Sequence, residues 1–431
     1  AVIYGYGGIA GVNGITEGEK EHSGTIYNCT VKTASITGQG DANNIVNVGG
    51  AAGVNHLGSA IHRITLSGEE KYSLMNANSS IYLKNAGTAS VYVGTGGNSG
   101  NFGHVGGIVG LNSGEISDIN VDKTKDPIGF DTKVDNTTVF VENYRGHVGG
   151  IVGYNRRTGI VKNVATGKSW VVFAVANAQD NGCGGIVGYQ ASEYGLQNCF
   201  NRATVEKTVK GGSNGVGGMI GRMEVAGSNS YVLDSCKNYG DIYGNQRVGG
   251  MVGVWKYYGG TVSNCVNYGK ITAKYGEGAA GIIGHFIEAT DKVTVLNCQN
   301  HGEINANGKA SAGIMGNGQG SSVQFTIQNC VNTGTIVKGD NSDGICAVSN
   351  IAGGSTILNC RNYGFNKDGS VMGGIVLNSV STKNLTMKNC YGLASLVKTE
   401  STATGGKKYY NISITEKTGI AGHTDNYYLK N

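Results

Sequence analysis

Val148-Gly149-Gly150-Ile151-Val152-Gly153 decides the fold, because the chain repeats it. The same six residues stand at Val105 to Gly110, and close variants follow at Cys183 to Gly188, Val216 to Gly221, Val248 to Gly253 and Ala279 to Gly284. Weaker copies sit at Tyr6 to Gly11, Val48 to Gly53, Ala312 to Gly316, Gly344 to Cys346, Met372 to Val376 and Gly419 to Gly422. From Gly150 to Gly374 the second glycine returns every 30–35 residues. Self-similarity at that period means a stack of identical units, each of which buries its apolar face against the next.

One unit, Val248 to Gly278, shows how a coil is made. Short β-branched runs (VGGMVG, TVSNC, KITAK) alternate with Gly- and Asn-rich turns, and no stretch has helical periodicity. The expected fold is all-β: a right-handed parallel β-helix with about three short strands per coil of 30–35 residues. It should hold about 11 coils over residues 1–390, with inserts near 61–101 and 121–145. Residues 391–431 read as a degenerate last coil and cap, with Gly419 marking its first strand and Asp425 to Leu429 its second.

The second run places the core. Its pattern is apolar-x-Asn-Cys, as in Val262-Ser263-Asn264-Cys265 and Ile327-Gln328-Asn329-Cys330. The apolar slots lie three apart, which breaks the strand period of two and predicts a bend at the Asn. Cys199, Cys236, Cys265, Cys298, Cys330, Cys360 and Cys390 share one slot, and Ile119 and Val164 take the same slot in other coils. A slot open to Ile and Val is a buried apolar position, so the cysteines read as a reduced packing row and not as metal ligands or disulfides. The next element, Asn-x-Gly-x-apolar, stacks Asn238, Asn267, Asn300, Asn332 and Asn362 in an expected amide ladder.

The glycine run poses a problem. Period two puts Ile151, Ile186 and Met251 on one side and Val152, Val187 and Val252 on the other, yet a β-helix has one interior. Either a glycine-permitted bend turns both rows inward, or one row is an exposed apolar stripe. The bend is favoured, because a soluble surface avoids such a stripe. The loops after this run carry Tyr154, Tyr189, Tyr194, Trp255, Tyr257, Tyr258 and Phe286. These aromatics either form a ligand-binding stripe or fold over the coil edge to shield it.

These repeats resemble the GLUG repeats of bacterial surface proteins, found in adhesins and in the N-terminal regions of IgA-cleaving metallopeptidases. The resemblance rests on GGIVG, I-x-N-C and N-x-G-x-I. It implies an exported, extracellular bacterial protein, secreted or at the cell surface, that serves adhesion or display. The implied partner is a glycan or protein of a host or neighbouring cell, and the stack leaves room for lateral or end-to-end self-association.

Other function classes find little support. A formal charge of +5 over 431 residues is too dilute for nucleic acid, and no run of 18 apolar residues exists to insert in a membrane. No His-Glu-x-x-His, phosphate loop or calcium nonapeptide is present, and no cofactor is expected. The main alternative is a β-helical polysaccharide lyase or glycosidase, for which Asp122, Asp126, Asp131 and Asp135, or Asp340 and Asp343, would be the clustered carboxylates. The third reading is the non-catalytic N-terminal region of a surface metallopeptidase.

Overall fold

The computed structural model describes residues 3–17, 20–33, 35–38, 45–67, 90–95, 103–122, 124, 129–131, 135, 137–143, 146–174, 181–207, 215–225, 231–275, 278–288, 291–307, 310–319, 323–338, 341–348, 351–364, 371–376, 385–392, 408–410 and 427–428. The chain is a β-solenoid of stacked parallel sheets, with no α-helix among the described residues. It divides into two compact units: residues 1–212 with 219–221, and residues 213–218 with 222–431.

A coil of the second unit has five strand segments, two more than expected. These are a glycine strand Val248–Gly249, a post-corner strand Val252–Lys256, an Asn-Cys strand Gly260–Ser263, a turn strand Val266–Asn267 and a closing strand Ile271–Ala273. Each pairs in parallel with its counterpart one coil on, for example Val252 with Ile283 and Val262 with Val295. The first unit is built alike, from Gly146–Gly149, Val152–Asn155, Ile160–Val164 and Trp170–Ala174, but in this coil a single bridge from Ala165 to Phe200 stands in for the turn strand, which first appears at Phe200–Asn201.

The glycine run contains the bend. The chain turns at Gly150 and Ile151, between two strands, and all twelve side chains of the two apolar rows from coil 151 to coil 314 are buried, Ile151 and Val152 among them. The ladder continues around the corner because one carbonyl takes two donors: the Ile151 and Val152 N–H groups both reach Ile186 O, at 3.0 and 2.9 Å. The second glycine of the run is the one that needs to be glycine: a Cβ on Gly250 would lie 2.0 Å from Gly281 O of the next coil, and Gly281 and Gly313 are hemmed in the same way, whereas Ala280, Ala312 and Asp343 take the place of Gly249 in later coils.

The expected inserts are smaller than their sequence limits. Ala60–Ser67 is an Asn-Cys strand and Ser90–Thr95 a closing strand, so both belong to the coil, while residues 68–89 lie outside the described residues. Within 121–145, Thr138–Asn143 is again a closing strand, while Val121–Asp122 pairs antiparallel with Gly129–Phe130. In the tail, the last glycine strand among the described residues is Lys408–Tyr410, beside Val371–Gly373. The segments Gly419–Gly422 and Asp425–Asn426 lie outside the described residues, whereas Tyr427–Tyr428 pairs with Tyr391–Gly392 as a turn strand.

Candidate functional site

The Asn-Cys corner is built on a left-handed residue. Asn264, Asn297, Asn329 and Asn359 have φ of 54°, 53°, 55° and 52°, a conformation that Asn tolerates better than most side chains. This swing points both flanking apolar residues inward. Cys199, Cys236, Cys265, Cys298, Cys330, Cys360 and Cys390 are fully buried, and all ten cysteines of the chain are free. In the first unit, Ile64 pairs with Cys29, and Ile119 with Val164, in the same slot. The seven thiols named in this slot each donate to the carbonyl two residues back, as Cys265 does to Ser263 O at 3.1 Å. Burial pushes the Cys265, Cys298 and Cys330 thiols well above the ordinary range, which keeps them protonated and unreactive.

The second unit's inner amides form a continuous chain. Asn238 Nδ2 donates to Asn267 Oδ1, Asn267 to Asn300, Asn300 to Asn332 and Asn332 to Asn362, at 2.7–2.8 Å. Each Nδ2 also reaches the carbonyl two residues on, as Asn267 does at Gly269 O (2.9 Å). A second ladder went unread in the sequence. Asn13, Asn55, Asn112, Asn155 and Gln190 close the post-corner strands of the first unit, joined at 2.8–3.0 Å. Its signal was the fourth residue of Val-Gly-x-Asn.

The loop aromatics do not form one stripe. Trp255 and Phe286 are fully buried and paired in register, and Trp255 Nε1 donates to Tyr258 O at 2.6 Å. They stand two residues after the last glycine of the motif, whereas Tyr154 and Tyr189 stand one residue after it. A one-residue offset puts a strand side chain on the opposite face. Tyr154 and Tyr189 are half-buried and packed edge-to-face at 5.0 Å. Tyr257 and Tyr258 are half-buried, and Tyr194 is 63% exposed.

The exposed aromatic row lies elsewhere, at the x position of the Asn-x-Gly turns. Tyr239 and Tyr268 stack at 5.0 Å with planes 8° apart, and Tyr268 stacks on His301 at 5.1 Å. His301 Nδ1 meets Thr333 Oγ1 at 2.6 Å, and Tyr363 follows, 48% exposed, against Tyr391. Lys270 and Glu303 form an ion pair at 2.7 Å two residues beyond the row's Tyr268 and His301. The Asn and Gly of these turns account for the backbone, so within a single coil the residue between them carries no separate signal.

The carboxylates of the insert separate. Asp122 and Asp131 line a cleft of about 520 Å³ with Asp118, Arg63 and Thr124. Asp135 is instead held bidentate by Arg202, at 2.8 and 2.5 Å. Asp343 is buried in a glycine strand, while Asp126 and Asp340 lie outside the described residues. Among the described residues no cluster of three or more His, Cys, Asp or Glu could hold a metal.

Two sets of ionisable groups are buried in the first unit. The His104 and His147 rings stack at 5.2 Å, packed on Tyr154 and Tyr189, and His147 Nδ1 accepts the Gly182 N–H at 3.1 Å. Burial, helped by the Arg156 charge, lowers His104 to about 3. Burial likewise raises Glu206 to about 7 and lowers Lys207 to about 8. The chain matches no protein-family model, no curated protein and no solved structure.

Proposed function

We propose that the chain is a non-enzymatic β-solenoid displayed or secreted by a bacterium, and that it serves adhesion. The observation that carries this reading is the exposed row Tyr239, Tyr268, His301 and Tyr363. A soluble surface has little reason to hold large rings at 38–48% exposure in register unless they meet a partner. Stacking uses the faces of the inner rings, so edges and phenol hydroxyls point outward. Beside them, the Lys270–Glu303 pair adds donors and acceptors. Such a strip suits a glycan or protein of a host or neighbouring cell, held by hydrogen bonds and ring edges. The GLUG-like repeats agree with this role and with an extracellular location.

Replacing both Tyr239 and Tyr268 with Ser tests the reading. Binding to a panel of host glycans and extracellular proteins should fall at least tenfold, with the fold intact. Unchanged binding by the folded variant removes the row from consideration. The cleft with Arg63, Asp118, Asp122 and Asp131 favours a second reading, a carbohydrate-active β-helix. Release of products from a polysaccharide panel, abolished by Asp131→Asn, would establish it.

A further inference from the structure

Arg361 breaks the pattern of the second unit's turn strands. The residue after the cysteine is Val266, Gln299 and Val331 in the coils before it, and in the next coil Tyr391 stands in register with it. Its guanidinium is anchored on one side only. Nη1 donates to Cys360 O at 3.3 Å and to Asn389 O, one coil on, at 2.8 Å. Nε and Nη2 have no partner among the described residues, and no carboxylate there pairs with the charge. An arginine held by Nη1 presents its Nε–Nη2 edge, which matches a carboxylate with two parallel N–H bonds.

Arg361 lines a cleft of about 270 Å³ with Asn359, Asn389, Cys390 and Tyr391. Asn389 Nδ2 donates to Asn359 Oδ1 at 3.1 Å, and its own Oδ1 takes no donor among the described residues, which leaves an acceptor in the cleft. Arg361 and Tyr363 flank the fully buried Asn362, so both side chains face outward. Tyr363 meets Tyr391 with ring centroids 5.7 Å apart and planes at 49°, whereas Tyr239 and Tyr268 stack with planes 8° apart. A tilted pair covers less of its own faces than a stacked one, so ring surface stays open beside the cleft.

A forked cation, a free amide oxygen and two phenol rings thus surround a space for about one sugar residue. We propose that this cleft binds the carboxylate-bearing sugar of an acidic glycan. The carboxylate sits on Nε and Nη2 of Arg361, a hydroxyl donates to Asn389 Oδ1, and the apolar side of the sugar ring lies against Tyr363 and Tyr391. Lys388, exposed next to Asn389, adds to the positive field. The inference rests on the adhesive reading of the tyrosine row, of which Tyr363 is a member, and adds the class of ligand. Sialic and uronic acids share this chemistry.

Titration calorimetry on the full chain with sialyllactose, a glucuronate-terminated disaccharide and their neutral parents tests the proposal. One acidic sugar or both should bind at least tenfold more tightly than the neutral parent, and the acid that binds identifies the source. The methyl ester of that acid should lose the advantage. Arg361→Lys keeps the charge but loses the fork, and should weaken binding of the acid at least tenfold. Lys274→Gln removes an exposed charge elsewhere in the unit and should change nothing. Should Arg361→Lys fail to fold, the ester comparison on the native chain decides alone. The proposal is overturned if acid, ester and neutral parent bind alike, or if folded Arg361→Lys keeps its preference for the acid. It is also overturned if a peptide with a free C-terminal carboxylate binds more tightly than either sugar. Where acid and parent bind alike, a loss on replacing Tyr239 and Tyr268 with Ser leaves the row standing without the cleft, and no loss removes both.

Discussion

The two units solve one problem at opposite corners of the coil. In the first, the residue that closes the post-corner strand is a buried amide: Asn13, Asn55, Asn112, Asn155, Gln190. In the second, the same motif position holds Met223, Trp255 and Phe286, all buried. The position two residues after the cysteine slot largely reverses the choice. It is Val31, Leu66 and Thr166 in the first unit, until Asn201 in that unit's last coil, and Asn238 through Asn362 in the second. Each unit therefore keeps its continuous amide ladder at a different corner. The ladder is confined because a buried amide must find partners in both neighbouring coils. An amide at a corner favours a hydrogen-bonding residue beside it along the axis, as Asn201 has in Thr166.

The largest expected effect comes from forcing one unit's choice on the other. Trp255→Asn places a single amide among Met223 and Phe286, where no ladder exists. It removes a fully buried indole, worth about 3–5 kcal/mol, and strands a polar group at about 1–3 kcal/mol more. A loss of about 4–8 kcal/mol in denaturant unfolding is expected. A loss below about 2 kcal/mol would mean that the corner tolerates either chemistry and that the contrast between the units is incidental.

Acid should separate the units next. His104 takes a proton near its ordinary 6.5 when unfolded but only near 3 when folded. The folded state is therefore favoured above pH 6.5 and loses that advantage as pH falls from 6.5 toward 3. The full shift corresponds to about 5 kcal/mol. At the equivalent position the second unit has Gly215, Arg247 and Gly278, with no histidine. Hydrogen exchange at pH 4 should show residues 103–112 and 146–155 losing protection relative to pH 7, while residues 248–256 keep theirs. His104→Asn, matching Asn47 in the preceding coil, should abolish the difference.

Breaking a ladder within its own unit should cost somewhat less. Asn267→Leu removes the bonds to Asn300 and Gly269 and the one accepted from Asn238. Two groups in neighbouring coils then lose their partners, for about 3 kcal/mol in total. Asn112→Leu should cost the same in the first unit, since Asn112 is bonded to Asn55, Asn155 and Gly114 in the same way. Equal losses measured by denaturation would show the ladders to be equivalent, whereas a loss at Asn267 alone would show that the first is dispensable.

The coil, its period and its glycine corner were legible because each leaves a local mark: Gly149 and Gly150 stand where a Cβ would meet backbone, and Asn264 where φ is positive. What misled was parity. Trp255 and Tyr154 look alike in a loop-length reading, yet one residue of offset buries the first and leaves the second at the edge. Nor could period alone separate Ala60–Ser67 from an insert, because its corner is Arg63, not Asn, and its inward slot is Ile64, not Cys. The exposed row was hidden differently. Tyr239, Tyr268 and His301 sit inside a turn whose Asn and Gly already explain the backbone, and only the stacking of coils brings the three rings together.

The smallest effect concerns the slot that both units share. Ile64, Ile119 and Val164 fill it beside Cys29 and Cys199 in the first unit, and cysteines alone fill it in the second, so this corner should be indifferent to sulfur. Cys265→Val changes volume little, and it gives up weak S–H bonds to Ser263 O at 3.1 Å and Leu233 O at 3.6 Å. Both carbonyls belong to strands whose ladders remain, so the loss should stay under about 1 kcal/mol. Cys265→Asp supplies the contrast, since the same space would then hold a carboxylate without a partner. Thiol labelling of the native chain should be slow at Cys265, because burial keeps its thiol protonated, and fast after unfolding. If Cys265→Val were as damaging as Cys265→Asp, the thiol row would have a role that Ile and Val cannot fill, and the two units would differ at this corner as well.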